Sequence, residues 1–223
     1  MFLRDLIVIV LVAVLASFLI KTFLVRSFYI PSGSMEATLQ VNDRVLVDEL
    51  VPRLIPLRRG DVIVFKDPGE WLNNPPPAPL SPVGAVGEWV LSVVGLSTRD
   101  QDDHLIKRVI GLPGDHVECC NALGQMSVNG TPLDEQPYVQ LSPATTAVSG
   151  QPFDVTVHKG HLWVMGDNRY RSSDSRAHLT TASHGQVPVS DVVGRAFVIS
   201  WPVTRWSVLS DQPDTFGGVP AAR

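Results

Sequence analysis

The sequence predicts a mostly β domain carried behind one membrane-spanning helix, and three observations lead there. Leu6 to Val25, "LIVIVLVAVLASFLIKTFLV", is apolar over about the 20 residues that a helix needs to cross hydrocarbon. After it come short runs rich in Val, Ile and Phe, separated by Gly, Pro and Asp, which is the punctuation of strands. Beyond the first run there is no long amphipathic helical pattern.

The elements follow in order. Residues 1–27 are assigned to an N-terminal anchor, with Lys21 placed where its stem can snorkel. A cleaved signal peptide is the competing reading, given the small residues Ala13 and Ala16, but the apolar character continues through Phe23, Leu24 and Val25. Flanking charge leaves the orientation open, because Arg4 and Asp5 offset each other while Lys21 and Arg26 lie on the other side. Residues 28–223 then form one β-rich domain, with strands expected at "DRVLVDEL" (43–50), "DVIVFK" (61–66), "HLIKRVIG" (104–111), "HVECC", "MSVNG", "HLWVMGD" (161–167) and "VVGRAFVISW" (192–201). The stretch at about 67–103 carries a triple proline and reads as an insert, with "EWVLSVVGL" a short helix at most; residues 139–152 read as a loop. Trp71 and Trp89 in the insert would suit a membrane interface, or simply pin the insert to the domain.

Composition excludes some functions. With 18 basic and 22 acidic residues the net charge is −4, and no basic stripe suits a nucleic-acid backbone. The two cysteines, Cys119 and Cys120, are adjacent and close almost no loop, so they read as two thiols or a local disulfide. His116 beside them lacks the further ligands of a metal site, and no metal is expected.

"FYIPSGSMEATL" places Ser34 in a glycine turn directly after the apolar run. A serine attacks only when a base takes its proton. The six histidines lie scattered, with no evident Asp-bearing constellation, although triad partners need not be neighbours in sequence. Lysine serves as a base when burial strips its proton, and the chain has four. Lys21 belongs to the anchor, Lys159 to a wet turn, and Lys66 stands beside Asp67. Lys107 remains, with strand alternation placing it between Leu105 and Val109 on one face. Gly33 permits a sharp turn in which Ser32 and the Ser34 amide converge on one point, the makings of an oxyanion hole. In "MGDNRYRSSDSRAH", Asp174 and Arg176 are spaced for an ion pair, with Ser172 or Ser173 free to orient another group.

Taken together, "PSGSMEATL", "RRGDVIVF", "KRVIGLPGD" and "GDNRYRSSDSR", in this order after an apolar N-terminus, resemble the bacterial type I signal peptidases, Ser-Lys proteases of the membrane that remove signal peptides from exported preproteins. The four blocks cover about a sixth of the chain, leaving out the Pro-rich insert and the tail after Trp201. The resemblance implies a signal-peptidase/LexA-like β domain of twisted antiparallel sheets. It implies Ser34 as nucleophile, Lys107 as general base, Ser32 with the Ser34 amide as oxyanion donors, and Ser172 orienting the lysine amine, with Asp174 and Arg176 supporting that loop. Phe28, Ile30, Met35, Leu39, Leu105 and Ile106 would line shallow pockets that accept Ala-x-Ala. The substrate would add as a β-strand to the edge strand bearing Lys107. It further implies no cofactor and a cytoplasmic N-terminus. The bacterial cell membrane and its lipid bilayer would be the setting, with the catalytic domain extracytoplasmic near the secretion translocon. Two departures stand out: Ala37 occupies a position where many members have proline, which should relax the turn slightly, and Leu105 one where some have an aromatic. Three rival readings share these features. One is a self-cleaving repressor-type Ser-Lys protease, which would carry a DNA-binding region instead of the span. The others are a specialised pilin or conjugation-type maturation peptidase and a non-catalytic membrane-anchored peptide-binding module.

Overall fold

Among the described residues, twelve strands form two antiparallel sheets. The structure, a computed structural model, describes residues 5, 6, 9, 10, 12, 24–69, 71, 72, 103–141 and 147–222. Most of the apolar run 6–25, together with Trp89 and most of the insert, lies outside the described residues. Among the described residues no helix is long and apolar enough to cross a membrane.

The larger sheet runs in the order β1 (Val25–Tyr29), β2 (Arg44–Asp48), β11 (Val192–Trp201), β3 (Val62–Lys66), β4 (His104–Gly111), β9 (His161–Met165) and β10 (Val187–Pro188), with β12 (Ser207–Val208) also on β11. The smaller sheet has the order β7 (Thr131–Pro132), β6 (Met126–Val128), β5 (His116–Cys119), β8 (Phe153–Thr156). All seven expected strands form, slightly trimmed at their ends. β1 corrects the anchor boundary: Val25 to Ser27 belong to the domain, because "VRSFY" alternates and pairs with β2, Phe28 opposite Val45.

Alternation explains the packing. Val62, Val64, Ile106, Val45 and Val47 gather on one face of the large sheet with Met35 and Leu39. Ile63, Phe65, Val109 and Val164 gather on the other, with Leu105 at its margin. A third cluster, around Trp163, Val117 and Phe153, joins the small sheet to the large one.

β4 is the strand that positions the site. Its register sets Lys107 opposite Ile63 and Arg108 opposite Val62. It is not an edge strand throughout, which corrects the expectation above: β9 pairs with it from Arg108 to Gly111, leaving His104–Lys107 unpaired on that side.

A polar spine runs beneath the sheet. Arg108 forks Asp167 through Nε at 2.8 Å and Nη2 at 2.7 Å, donates to the Gly60 carbonyl at 2.6 Å, and lies 4.5 Å from the Tyr138 ring centre. Arg169 forks Glu135 at 2.9 and 2.7 Å, and Tyr138 donates its hydroxyl to the same carboxylate at 2.6 Å. These charges survive burial only as pairs, since an uncompensated buried ion is strongly unfavourable. Glu135→Ala would leave Arg169 buried and alone, and is expected to cost about 3–5 kcal/mol in a urea denaturation series at neutral pH, little relieved by added salt.

Candidate active site

The "SGSM" stretch folds as a single 3-10 turn, Gly33–Met35, with Ser32 in extended conformation ahead of it. Met35 and Leu39, both fully buried, anchor the turn in the core, and Leu39 N–H donates back to the Met35 carbonyl at 2.8 Å. Ser34 is thereby fixed at the turn's second position, 6% exposed. The first N–H groups of such a turn have no partner within it, so the Ser34 amide is available to an incoming oxygen. Ser32 is solvent-exposed, caps nothing, and its Oγ lies 3.4 Å from Ser34 Oγ.

Lys107 Nζ lies 2.8 Å from Ser34 Oγ and donates to the Ile106 carbonyl at 3.0 Å. Its side chain is 3% exposed. Burial pushes the amine down from its ordinary value near 10.5 to about 8, against the pull of Asp174 and Asp167, which favour the ammonium. Lys66 and Lys159 are exposed, and Lys21 lies outside the described residues. No imidazole hydrogen-bonds Ser34 among the described residues, and no group of side chains there could hold a metal ion.

Asp174 is gripped by Arg176 through Nε at 2.8 Å and Nη2 at 2.7 Å, and accepts the Gly166 N–H at 3.0 Å. Burial alone would raise its carboxyl, but the Arg176 fork, the Gly166 amide and the nearby Ser172 hydroxyl outweigh this and hold it below the usual carboxylate range. Ser172 corrects one expectation. Its Oγ is buried beside Gly166 with no well-formed hydrogen bond, and the lysine amine is oriented instead by Ser34 and the Ile106 carbonyl. Ser173, the other serine weighed for that role, faces His178 at 2.9 Å.

Residues the sequence did not single out brace the serine turn from behind. Asn168 N–H donates to the Ser34 carbonyl at 3.1 Å, and its side-chain amide donates to the Gly33 carbonyl at 3.2 Å and Glu36 at 3.0 Å. Thr38 donates to Asp167, the carboxylate already forked by Arg108. Gly166 approaches the turn so closely that a Cβ there would fall 2.4 Å from the Ser34 carbonyl oxygen and 2.2 Å from Ser172 Oγ. The signal for these roles was the density of Gly, Asp, Asn and Arg in "MGDNRYR", but their partners lie more than a hundred residues away.

The six expected pocket residues are mostly sealed. Ile30, Met35 and Leu39 are at most 1% exposed, Phe28 4% and Ile106 8%, so they form the floor beneath the site rather than open walls. Leu105 is half-buried. The reason is that five of them join one core cluster, Phe28 and Ile106 by strand alternation and Ile30, Met35 and Leu39 from the serine turn and its flanks. Ala37 also departs from expectation. It adopts φ +94°, which a proline ring, held near −65°, cannot take, so this turn follows a different path from a proline-bearing one instead of a relaxed version of it. Cys119 and Cys120 are joined to each other.

Comparison with known proteins agrees with this architecture. The family described as "Signal peptidase, peptidase S26" matches residues 3–201. A signal peptidase I of Mycobacterium tuberculosis (strain ATCC 25618 / H37Rv) is 41% identical over 228 residues, covering 93% of this chain and 75% of that one. A signal peptidase I of Leptolyngbya laminosa is 37% identical over 194 residues, covering 87% and 77%, and one of Pseudomonas aeruginosa 31% identical over 231 residues, covering 85% and 70%. A family match across most of the chain, over a mostly β fold with a serine and a buried lysine in contact, leads to one conclusion: this chain belongs to the signal peptidase family, peptidase S26.

Proposed function

We propose that the chain is a signal peptidase I that removes signal peptides from exported preproteins, with Ser34 as nucleophile and Lys107 as its general base. The observation that carries this reading is the 2.8 Å approach of a dehydrated amine to a serine hydroxyl. Neutral Lys107 takes the proton of Ser34 as Oγ attacks the scissile carbonyl, and the resulting ammonium gives that proton to the leaving amine. The acyl ester is then hydrolysed by a water that Lys107 deprotonates in the same way, which restores the serine. The Ser34 N–H and the uncommitted Ser32 hydroxyl stabilise the oxyanion. Asp174 and Arg176 fix the loop behind the amine.

The substrate reading rests on β4. An extended peptide adds along the open stretch His104–Lys107, and a floor closed by Phe28, Ile30, Met35 and Ile106 leaves room for small side chains only, as Ala-x-Ala provides. A bilayer partner is supported by Trp201, Val203, Trp206 and Val208, which stand 55–77% exposed at the end of β11 and the turn after it. The apolar run would anchor the chain in the cell membrane, with the β domain on the extracytoplasmic side.

Three outcomes test the proposal. Ser34→Ala and Lys107→Ala should each abolish preprotein cleavage by at least about a thousandfold while circular dichroism stays unchanged; retained cleavage in either overturns the assignment. With the amine titrating at about 8, about a tenth of it is neutral at pH 7, so kcat/KM should climb tenfold per pH unit below that midpoint and level off above it. Stability gives the third. In the unfolded chain the amine regains its ordinary value near 10.5, so unfolding takes up a proton between about pH 8 and 10.5, and native stability rises with pH through that window. Below pH 8 the whole penalty is present. Lys107→Met should therefore stabilise the fold by about 1–3 kcal/mol at pH 7, net of the lost hydrogen bonds, with the gain fading towards pH 10.5 in guanidinium titrations.

A further inference from the structure

The segment following β3 begins with a built turn. The Asp67 carboxylate accepts the N–H groups of Gly69 at 3.0 Å, Trp71 at 3.2 Å and Leu72 at 3.0 Å. That turn delivers the Trp71 indole into the domain, where it is 6% exposed. It meets Phe65 edge-on at 5.8 Å and stacks on His178 at 4.4 Å with the rings 10° from parallel. His178 ends the 3-10 turn Ser175–His178 whose cap is Asp174, and its Nε2 lies 2.9 Å from Ser173 Oγ.

These contacts bear on the lysine. Ile63 lies opposite Lys107 and Phe65 opposite Leu105, so Phe65, Leu105, Ile63, Val109 and the lysine stem share one face of the sheet. Trp71, 6% exposed, belongs to the apolar cluster on that face. Through His178 the same indole holds the turn that starts at Asp174.

We propose that Trp71, stacked on His178, is a positioning residue for Lys107: it seals the apolar face that carries the amine and fixes the turn bearing Asp174. The inference rests on the reading of Lys107 as the base, but concerns a side chain that touches neither the serine nor the peptide. The charged groups in reach are few. Asp174 and Asp167 face the amine, each paired with its own arginine, while Asp174, Asp67 and Lys107 face the imidazole, which burial keeps below its usual value.

The test is a titration of the full chain in detergent micelles, labelled with 13C-lysine. Only four lysines contribute signals. Trp71→Ala should move the Lys107 Cε midpoint upward from about 8 by at least about one unit, towards the ordinary lysine value. The rising limb of kcat/KM should move with it, so that activity falls about tenfold at pH 7 and recovers at alkaline pH. Trp71→Leu, which keeps apolar bulk but cannot stack, should give a smaller shift of the same sign and replaces the alanine variant if that one unfolds. An unmoved midpoint in a folded variant, or a loss of activity equal at every pH, overturns the proposal. The amine titration does not depend on turnover. If Lys107→Ala retained cleavage, the dyad would fail while a shifted midpoint would still locate Trp71 as the seal.

Discussion

An amine accepts a proton from an alcohol only while it carries none of its own, and on the proposed reading of Lys107 as the base the packing around it meets that requirement. Water around the amine would favour the ammonium, and burial removes it. Yet the site also places two carboxylates, Asp174 and Asp167, close enough to favour the charged form. The two arginines resolve the conflict. Arg176 forks one carboxylate and Arg108 the other, so most of each negative charge is consumed before it reaches the lysine. The acids remain useful because their other contacts tie down neighbouring segments: Asp174 accepts the Gly166 amide, and Asp167 the Thr38 side-chain hydroxyl beside the serine turn.

β4 is where these demands meet. Adjacent residues of one strand send Lys107 to the face that needs dryness and Arg108 to the face that needs a cation, and pairing with β3 at Ile63 and Val62 locks that assignment. A slip of one residue would exchange the two groups and destroy both arrangements. The departure of β9 from β4 before Lys107 serves the same end, because it leaves backbone open beside the amine and closed behind it.

Much of this was legible in the sequence, for reasons that can be named. The long strands were readable because Val and Ile alternate over five or more residues. β7, β10 and β12, of two residues each, offer no period to detect, and β1 was hidden because its start is continuous with the apolar run. The Ser34–Lys107 pairing could be reasoned by elimination, since Lys21 lies in the apolar run and of the other three lysines only Lys107 sits between apolar neighbours on a strand face. Asn168 and Gly166 could not be assigned to the serine turn that way, because contacts spanning more than a hundred residues leave no local trace. The pocket residues came with the resemblance alone, and their depth could not be read from it: Met35 and Leu39 are fully buried in the core beneath the serine turn. Trp71 was weighed as an interface residue or a pin, and its stacking on His178 with 6% exposure matches the pin.

The start of β1 at Val25 has a geometric corollary. Arg26 is clamped to the buried Glu49 at 2.8 Å, so the chain is fastened to the sheet one residue into the strand. Ser34 follows eight residues after Arg26, a leash of no more than about 30 Å even if drawn straight. If the apolar run is seated in lipid, as proposed, this leash bounds how far Ser34 can stand from the bilayer.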